Sequence, residues 1–80
     1  MTKAEFTKNY IEPMMVAANC GIKAVEYRKN DRLYIDDKYR THYDEEIIIT
    51  YNNDYTRLIN VECDSFAAMV EDMYKQGGVY

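Results

Sequence analysis

Between residues 45 and 77 the hydrophobic period changes once, from strand to helix, and that change narrows the folds open to this chain. Glu45-Glu46 lead into Ile47-Ile48-Ile49-Thr50-Tyr51, Asn52-Asn53-Asp54 form a polar corner, and a second run follows over 55–63. β-Branched and aromatic residues on both sides of an Asn/Asp-rich corner predict a β-hairpin. Over 64–76, Phe66, Met69, Val70, Met73 and Tyr74 fall at i, i+3, i+4, i+7 and i+8, the stripe of an amphipathic helix. Lys75 suits the negative end of its dipole, and Gly77-Gly78 stop it. Ile47-Ile48-Ile49 does not alternate, so that strand is expected at the centre of a sheet or against a partner chain.

Upstream, Thr2-Lys3-Ala4-Glu5 has the form of a capping box and starts a helix over 3–20. Phe6, Tyr10, Met14 and Ala17 repeat along it, with Ile11, Met15 and Ala18 widening the stripe. Gly21 is placed to end it in a left-handed cap. Pro13 removes a hydrogen bond and collides with the carbonyl four residues back. The expectation is a kinked helix, or two short ones with Pro13 in the first turn of the second.

Residues 22–28 and 32–36 read as strands around a turn at Lys29-Asn30-Asp31. Val25 and Tyr27 share one face, as do Leu33 and Ile35 on the partner strand. Ala24, Glu26 and Arg28 face the other way, with Tyr34 and Asp36 opposite them. Residues 37–44 form a polar, Tyr-bearing connection, the kind of loop that often carries function.

The order is α-β-β-β-β-α. The simplest α+β arrangement is one domain over 1–80, a four-stranded antiparallel sheet with two helices packed on one face. Its expected core is Phe6, Tyr10, Met14, Val25, Leu33, Ile35, Ile47, Ile49, Ile59, Val61, Phe66, Met69, Val70 and Met73. At 80 residues a lone core is only just sufficient, so a homodimer that shares core would help.

The search for chemistry is short. His42 is the chain's only histidine and reads as a solvated loop residue beside acids, with no metal-ligand spacing around it. Cys63 is flanked by Glu62 and Asp64, which disfavour a thiolate, and neither Cys63 nor Cys20 has a sequence-near histidine. The carboxylate pairs are adjacent residues that point apart, and no glycine-rich phosphate loop occurs. No catalytic group, metal or cofactor is expected. Neither a secretory signal nor a run of about 18 apolar residues is visible, which leads to a cytoplasmic expectation, with both cysteines reduced and mostly buried.

Surface charge remains. The formal net charge is −4, which argues against general affinity for nucleic acid or anionic membrane. It is uneven: 22–43 holds six Lys/Arg and four Asp/Glu, whereas 44–80 holds eight Asp/Glu and two Lys/Arg. Nine tyrosines suit a half-wet interface. Asp44, Glu45, Glu46, Asp54, Glu62, Glu71 and Asp72, with Tyr51, Tyr55 and Tyr74, are the expected contacts for a basic protein or nucleoprotein partner. Two alternatives stand beside this. One is a direct nucleic-acid binder using Lys23, Arg28, Lys29, Arg32, Lys38 and Arg40 with nearby tyrosines. The other is a homodimer paired through a sheet edge.

In size, acidity, tyrosine content, lack of a catalytic motif and compact αβ order, the chain resembles the small accessory proteins of phages and mobile elements, which include the anti-CRISPR proteins. That resemblance implies a stoichiometric inhibitor that binds a nucleic-acid-handling complex in the host cytoplasm and blocks nucleic acid access. No residue is carried over from it.

Overall fold

Thr2 opens the first helix as the capping box requires: its Oγ1 accepts from the Glu5 N–H at 3.1 Å, and the Glu5 carboxylate accepts from the Thr2 N–H at 3.0 Å. The computed structural model describes residues 1–61 and 65–77, with the backbone alone at 74, 76 and 77. Segment α1 (Lys3–Phe6), a π-helical stretch (Thr7–Ile11) and α2 (Glu12–Ala18) follow without a break.

Pro13 accounts for the π-helical stretch. In an α-helix its ring would strike the Asn9 carbonyl. Instead the preceding turn is widened, the Glu12 N–H reaches back to the Thr7 carbonyl, and Pro13 falls in the first turn of α2. A π turn takes more residues per revolution than an α turn, so the drift of the stripe over Thr7–Ile11 offsets the opposite drift over the next turn. Thr7, Ile11 and Met15 therefore line up and are buried. Phe6 and Met14 pack beside them, while Tyr10, expected in the core, is exposed. The helix ends differently too: Asn19 Oδ1 accepts from the Gly21 N–H at 2.9 Å, and Gly21 is not left-handed.

The strands are β1 (Ile22–Lys29), β2 (Tyr34–Ile35), β3 (Thr41–His42), β4 (Glu45–Tyr51) and β5 (Thr56–Asn60). They form a three-stranded antiparallel sheet, order β1-β4-β5, and a separate two-stranded one, β2-β3. The α+β class stands, and the four-stranded sheet is corrected. Strand β1 gives one edge to β4 along its length, with Lys29 opposite Glu45 and Ile22 opposite Tyr51. Its other edge faces α2, where the Glu12 carboxylate accepts from the Val25 N–H at 2.9 Å, next to a bulge between Ile22 and Ala24. The segment 32–36 finds no place there. Asn30 instead donates its N–H to the Asp44 carbonyl at 2.8 Å and its Nδ2 to the Tyr43 carbonyl at 2.7 Å, which carries the chain past β1.

One face of the sheet builds the core. Val25, Ile47, Ile49, Ile59 and Val61 share it by register, and Ile11, Met15, Met69 and Met73 cover it from the helices. Helix α3 (Phe66–Gly77) is capped by Ser65, whose Oγ accepts from the Ala68 N–H at 3.1 Å. Phe66 stacks on Phe6 with ring centroids 4.6 Å apart, joining the two helical segments. Strand β5 ends at Asn60, so Val61 lies just beyond it, while the expected strand end at 62–63, the helix start at Asp64 and the burial of Cys63 fall on residues outside the described ones. Cys20 lies in the turn after α2 and is exposed rather than buried. Among the described residues no helix is long and apolar enough to cross a membrane.

Candidate functional site

The pleat sends Glu46, Ile48 and Thr50 to the face of β4 opposite the helices, and residues 34–43 lie across that face. Glu46 is fully buried there, and His42 is only 6% exposed. His42 Nδ1 lies 3.0 Å from Glu46 Oε1, and Nε2 lies 2.9 Å from Asp36 Oδ2. Tyr34, the register partner of His42, stacks on its ring at 4.5 Å with an interplanar angle of 2°. The other Glu46 oxygen accepts from the Tyr43 N–H at 3.1 Å. The Asp36 carboxylate is more richly served. Its Oδ1 accepts from the Lys38 and Arg40 N–H groups, both at 2.9 Å, and its Oδ2 accepts from Arg40 Nε at 3.1 Å. The Arg40 guanidinium also donates to Thr56 Oγ1, tying the loop to β5.

Both ring nitrogens of His42 thus face carboxylate oxygens, an arrangement that an imidazolium satisfies and a neutral imidazole cannot. The hydrogen bond to Glu46, ahead of that to Asp36, raises the pKa of the ring; burial works against this and is outweighed. The Asp36 carboxyl is held well below the usual carboxylate range, first by the Arg40 N–H and then by His42. The reading of His42 as a solvated loop histidine is overturned. Sequence distance hid it: its partners lie six residues back and four ahead, on segments that only the fold brings together. Because the two carboxylates take opposite sides of one ring, they cannot converge with it on an ion. Among the described residues no group of three such ligands is placed to hold a metal.

The pinned segment is a hairpin whose loop matches the one at the β4–β5 corner. In the first, the Asp36 N–H donates to the Arg40 carbonyl and the Tyr39 N–H to the Asp36 carbonyl, both at 3.0 Å, with Tyr39 at φ 63°. In the second, the Tyr51 N–H donates to the Tyr55 carbonyl at 2.8 Å and the Asp54 N–H to the Tyr51 carbonyl at 2.9 Å, with Asp54 at φ 67°. Each is a three-residue loop closed by a left-handed residue. Asp tolerates that conformation; Tyr does so at a cost. The hairpin leaves three large apolar side chains exposed. Leu33 is 58% exposed, Ile35 65% and Tyr39 91%, which corrects the expected core roles of Leu33 and Ile35. Sequence reasoning missed Leu33 and Ile35 as surface residues, since an alternating strand looks the same whichever face is covered.

The acidic set does not form one patch. Glu46 is buried against His42, and Glu45 accepts from Lys3 Nζ and Tyr27 Oη, both at 2.6 Å, on the helix side of the sheet. The Lys3 ammonium, then Tyr27, lowers the pKa of Glu45. Asp44 is exposed beside Glu45. Tyr51, Asp54 and Tyr55 gather at the other end of β4, about 20 Å away at the usual rise of a strand. There Asp54 pairs with Lys23 at 3.3 Å, and the two tyrosines flank an open depression of about 450 Å³ shared with Gly21, Asn52 and Asn53. On α3, Glu71 pairs with Lys75 at 2.7 Å and Asp72 is half-buried. Glu62 and the Tyr74 side chain fall outside the described residues.

Of the basic set, Arg28, Lys29, Arg32 and Lys38 are exposed, while Arg40 is taken up by Asp36 and Thr56. Two of the tyrosines that were to stack bases are engaged, Tyr34 on His42 and Tyr27 on Glu45. No protein-family model, curated protein or solved structure matches this chain.

Proposed function

We propose that this chain is a non-enzymatic binding protein that docks on a basic protein or nucleoprotein partner through the pinned hairpin. Its apolar contacts are Tyr39, Leu33 and Ile35. The observation that carries this reading is Tyr39. A bulky residue in a left-handed backbone costs about 1–2 kcal/mol that glycine is spared. The ring is 91% exposed, so the fold recovers almost nothing for that cost. Leu33, just ahead of β2, and Ile35 within it extend the exposed apolar surface. A chain whose buried apolar core numbers ten among the described residues yet leaves three large ones exposed on a single hairpin has the composition of an interface.

The net charge of −4 favours a basic partner through long-range steering. Exposed Asp31, Asp37 and Asp44 border the hairpin beside exposed Arg32 and Lys38 and supply a charged rim. An inhibitor of a nucleic-acid-handling complex, the role implied by the resemblance to phage accessory proteins, fits that sign of charge and a cytoplasmic setting.

The test is capture of a stoichiometric partner from a lysate of the expressing cells, comparing wild type with Leu33→Ser/Ile35→Ser. The double variant is expected to melt like wild type and to lose the partner. Wild-type capture should weaken only in part between about 0.1 M and about 0.5 M salt, because apolar anchors are not screened. Equal capture by the double variant contradicts the reading. A dimer in light scattering that the variant converts to monomer would identify the partner as a second copy.

A further inference from the structure

The two carboxylates that hold His42 differ in what else they have. Apart from the imidazole, Asp36 accepts from the Lys38 N–H, the Arg40 N–H and Arg40 Nε. Glu46 is fully buried and, among the described contacts, accepts from the Tyr43 N–H beyond the ring. A neutral imidazole keeps one N–H, so deprotonation forces the ring to give up one partner. Giving up Glu46 would strip a buried carboxylate of its main donor, the costlier choice. Asp36 can lose the ring and stay solvated by its other donors.

We infer that the Nε2 proton of His42 is the latch of the hairpin. Its loss turns a lone pair toward Asp36 Oδ2 and loosens β2 and the 36–40 loop, while Nδ1–H keeps β3 on Glu46. The groups around the ring are Asp36 and Arg40 from the loop, Tyr34 from β2, Tyr43 next in chain, and Glu46 from β4. Arg28 of β1 and Asn60 of β5 are the register partners of Glu46. Only Asp36 and Glu46 among these accept from the ring.

The direction of the pH effect follows. Glu46 first, then Asp36, raises the pKa of His42 in the closed hairpin; opening keeps Glu46 but removes the Asp36 contribution, and so releases a proton. The latch holds fully below the ordinary histidine value of about 6.5, weakens as pH rises toward the raised value, and changes no further above it. Asp36, with its depressed pKa, stays ionised throughout that window. The consequence for docking, a tip presented rigidly at lower pH and loosely at higher pH, rests on the function proposed above; the latch itself does not.

Nuclear magnetic resonance on the full chain between about pH 6 and about pH 9 tests it. The imidazole nitrogen shifts should show both nitrogens protonated at the low end and Nε2 bare at the high end. Amide protection at Asp36 and Tyr39, whose acceptors are backbone carbonyls of the loop, corrected for the intrinsic pH dependence of exchange, should fall by up to about tenfold per pH unit inside the window. Protection at Ile47, Ile49 and Val25 should hold. A neutral form protonated on Nε2, or a loss of protection shared equally by the three-stranded sheet, overturns the latch. If ring and loop behave as expected while partner capture is the same at both pH values, the latch is upheld and its role in docking is overturned.

Discussion

Replacing Glu46 by leucine is expected to cost about 3–5 kcal/mol, the penalty for removing one partner of a buried ion pair. For a chain of 80 residues, with about 4–12 kcal/mol of stability in total, that is from about a quarter to all of it, and at the low end leaves much of the population unfolded. The cause is what stays behind: a 6% exposed imidazolium with a bare Nδ1–H, and the Tyr43 N–H without its acceptor. Adding His42→Leu to Glu46→Leu should restore at least half of the loss, because a buried pair replaced as a whole by apolar side chains is often neutral or better. Asp36 keeps Arg40 and two backbone donors in the double variant, so no second orphan arises. Urea and thermal melts of the three proteins at neutral pH decide it. A single variant within about 1 kcal/mol of wild type would mean that Glu46 is not the buried anchor described.

Ile49→Ala should lose about 2–5 kcal/mol, and Ile49→Val about 0.5–1.5. Ile49 lies in the middle of the central strand with no exposed surface, flanked in register by Val25 and Arg57 and covered by the helices. On a chain of this size each kcal/mol moves the melting temperature by about 4–8 °C. Ile48, one residue earlier, turns to the opposite face and is half-buried. Ile48→Ala should therefore cost less than half as much as Ile49→Ala. Equal losses at the two positions would contradict the assignment of faces.

What the sequence made legible follows from where the information lay. The β4–β5 hairpin and α3 announce themselves locally, through β-branched runs around Asn52-Asn53-Asp54 and a methionine stripe at helical spacing. The first helix was legible in its cap and its proline but not in its face, because the widened turn before Pro13 moved burial from Tyr10 to Thr7 and Ile11. The second hairpin was misassigned. Lys29-Asn30-Asp31 looked like a turn, whereas the true loop at 37–39 closes on a tyrosine in a conformation that glycine or asparagine would normally mark. The site was hidden for a related reason. Asp36, His42 and Glu46 are unremarkable as neighbours in a polar stretch and acquire meaning only when Tyr34 pairs with His42 across a short strand. Acidity was visible from the outset; its division between two ends of β4 and the surface of α3 required the register.

At the exposed hairpin tip fold and the proposed docking pull in opposite directions, and Tyr39→Gly separates them. Glycine relieves the left-handed strain at φ 63° and should raise stability by about 1 kcal/mol in urea titration. The same change removes the most exposed aromatic ring of the tip and should reduce capture of the partner by about tenfold or more, the usual toll of truncating an aromatic anchor. A more stable protein that captures its partner less well is the predicted result. A variant that captures its partner as well as wild type would mean that the hairpin tip is not the docking surface.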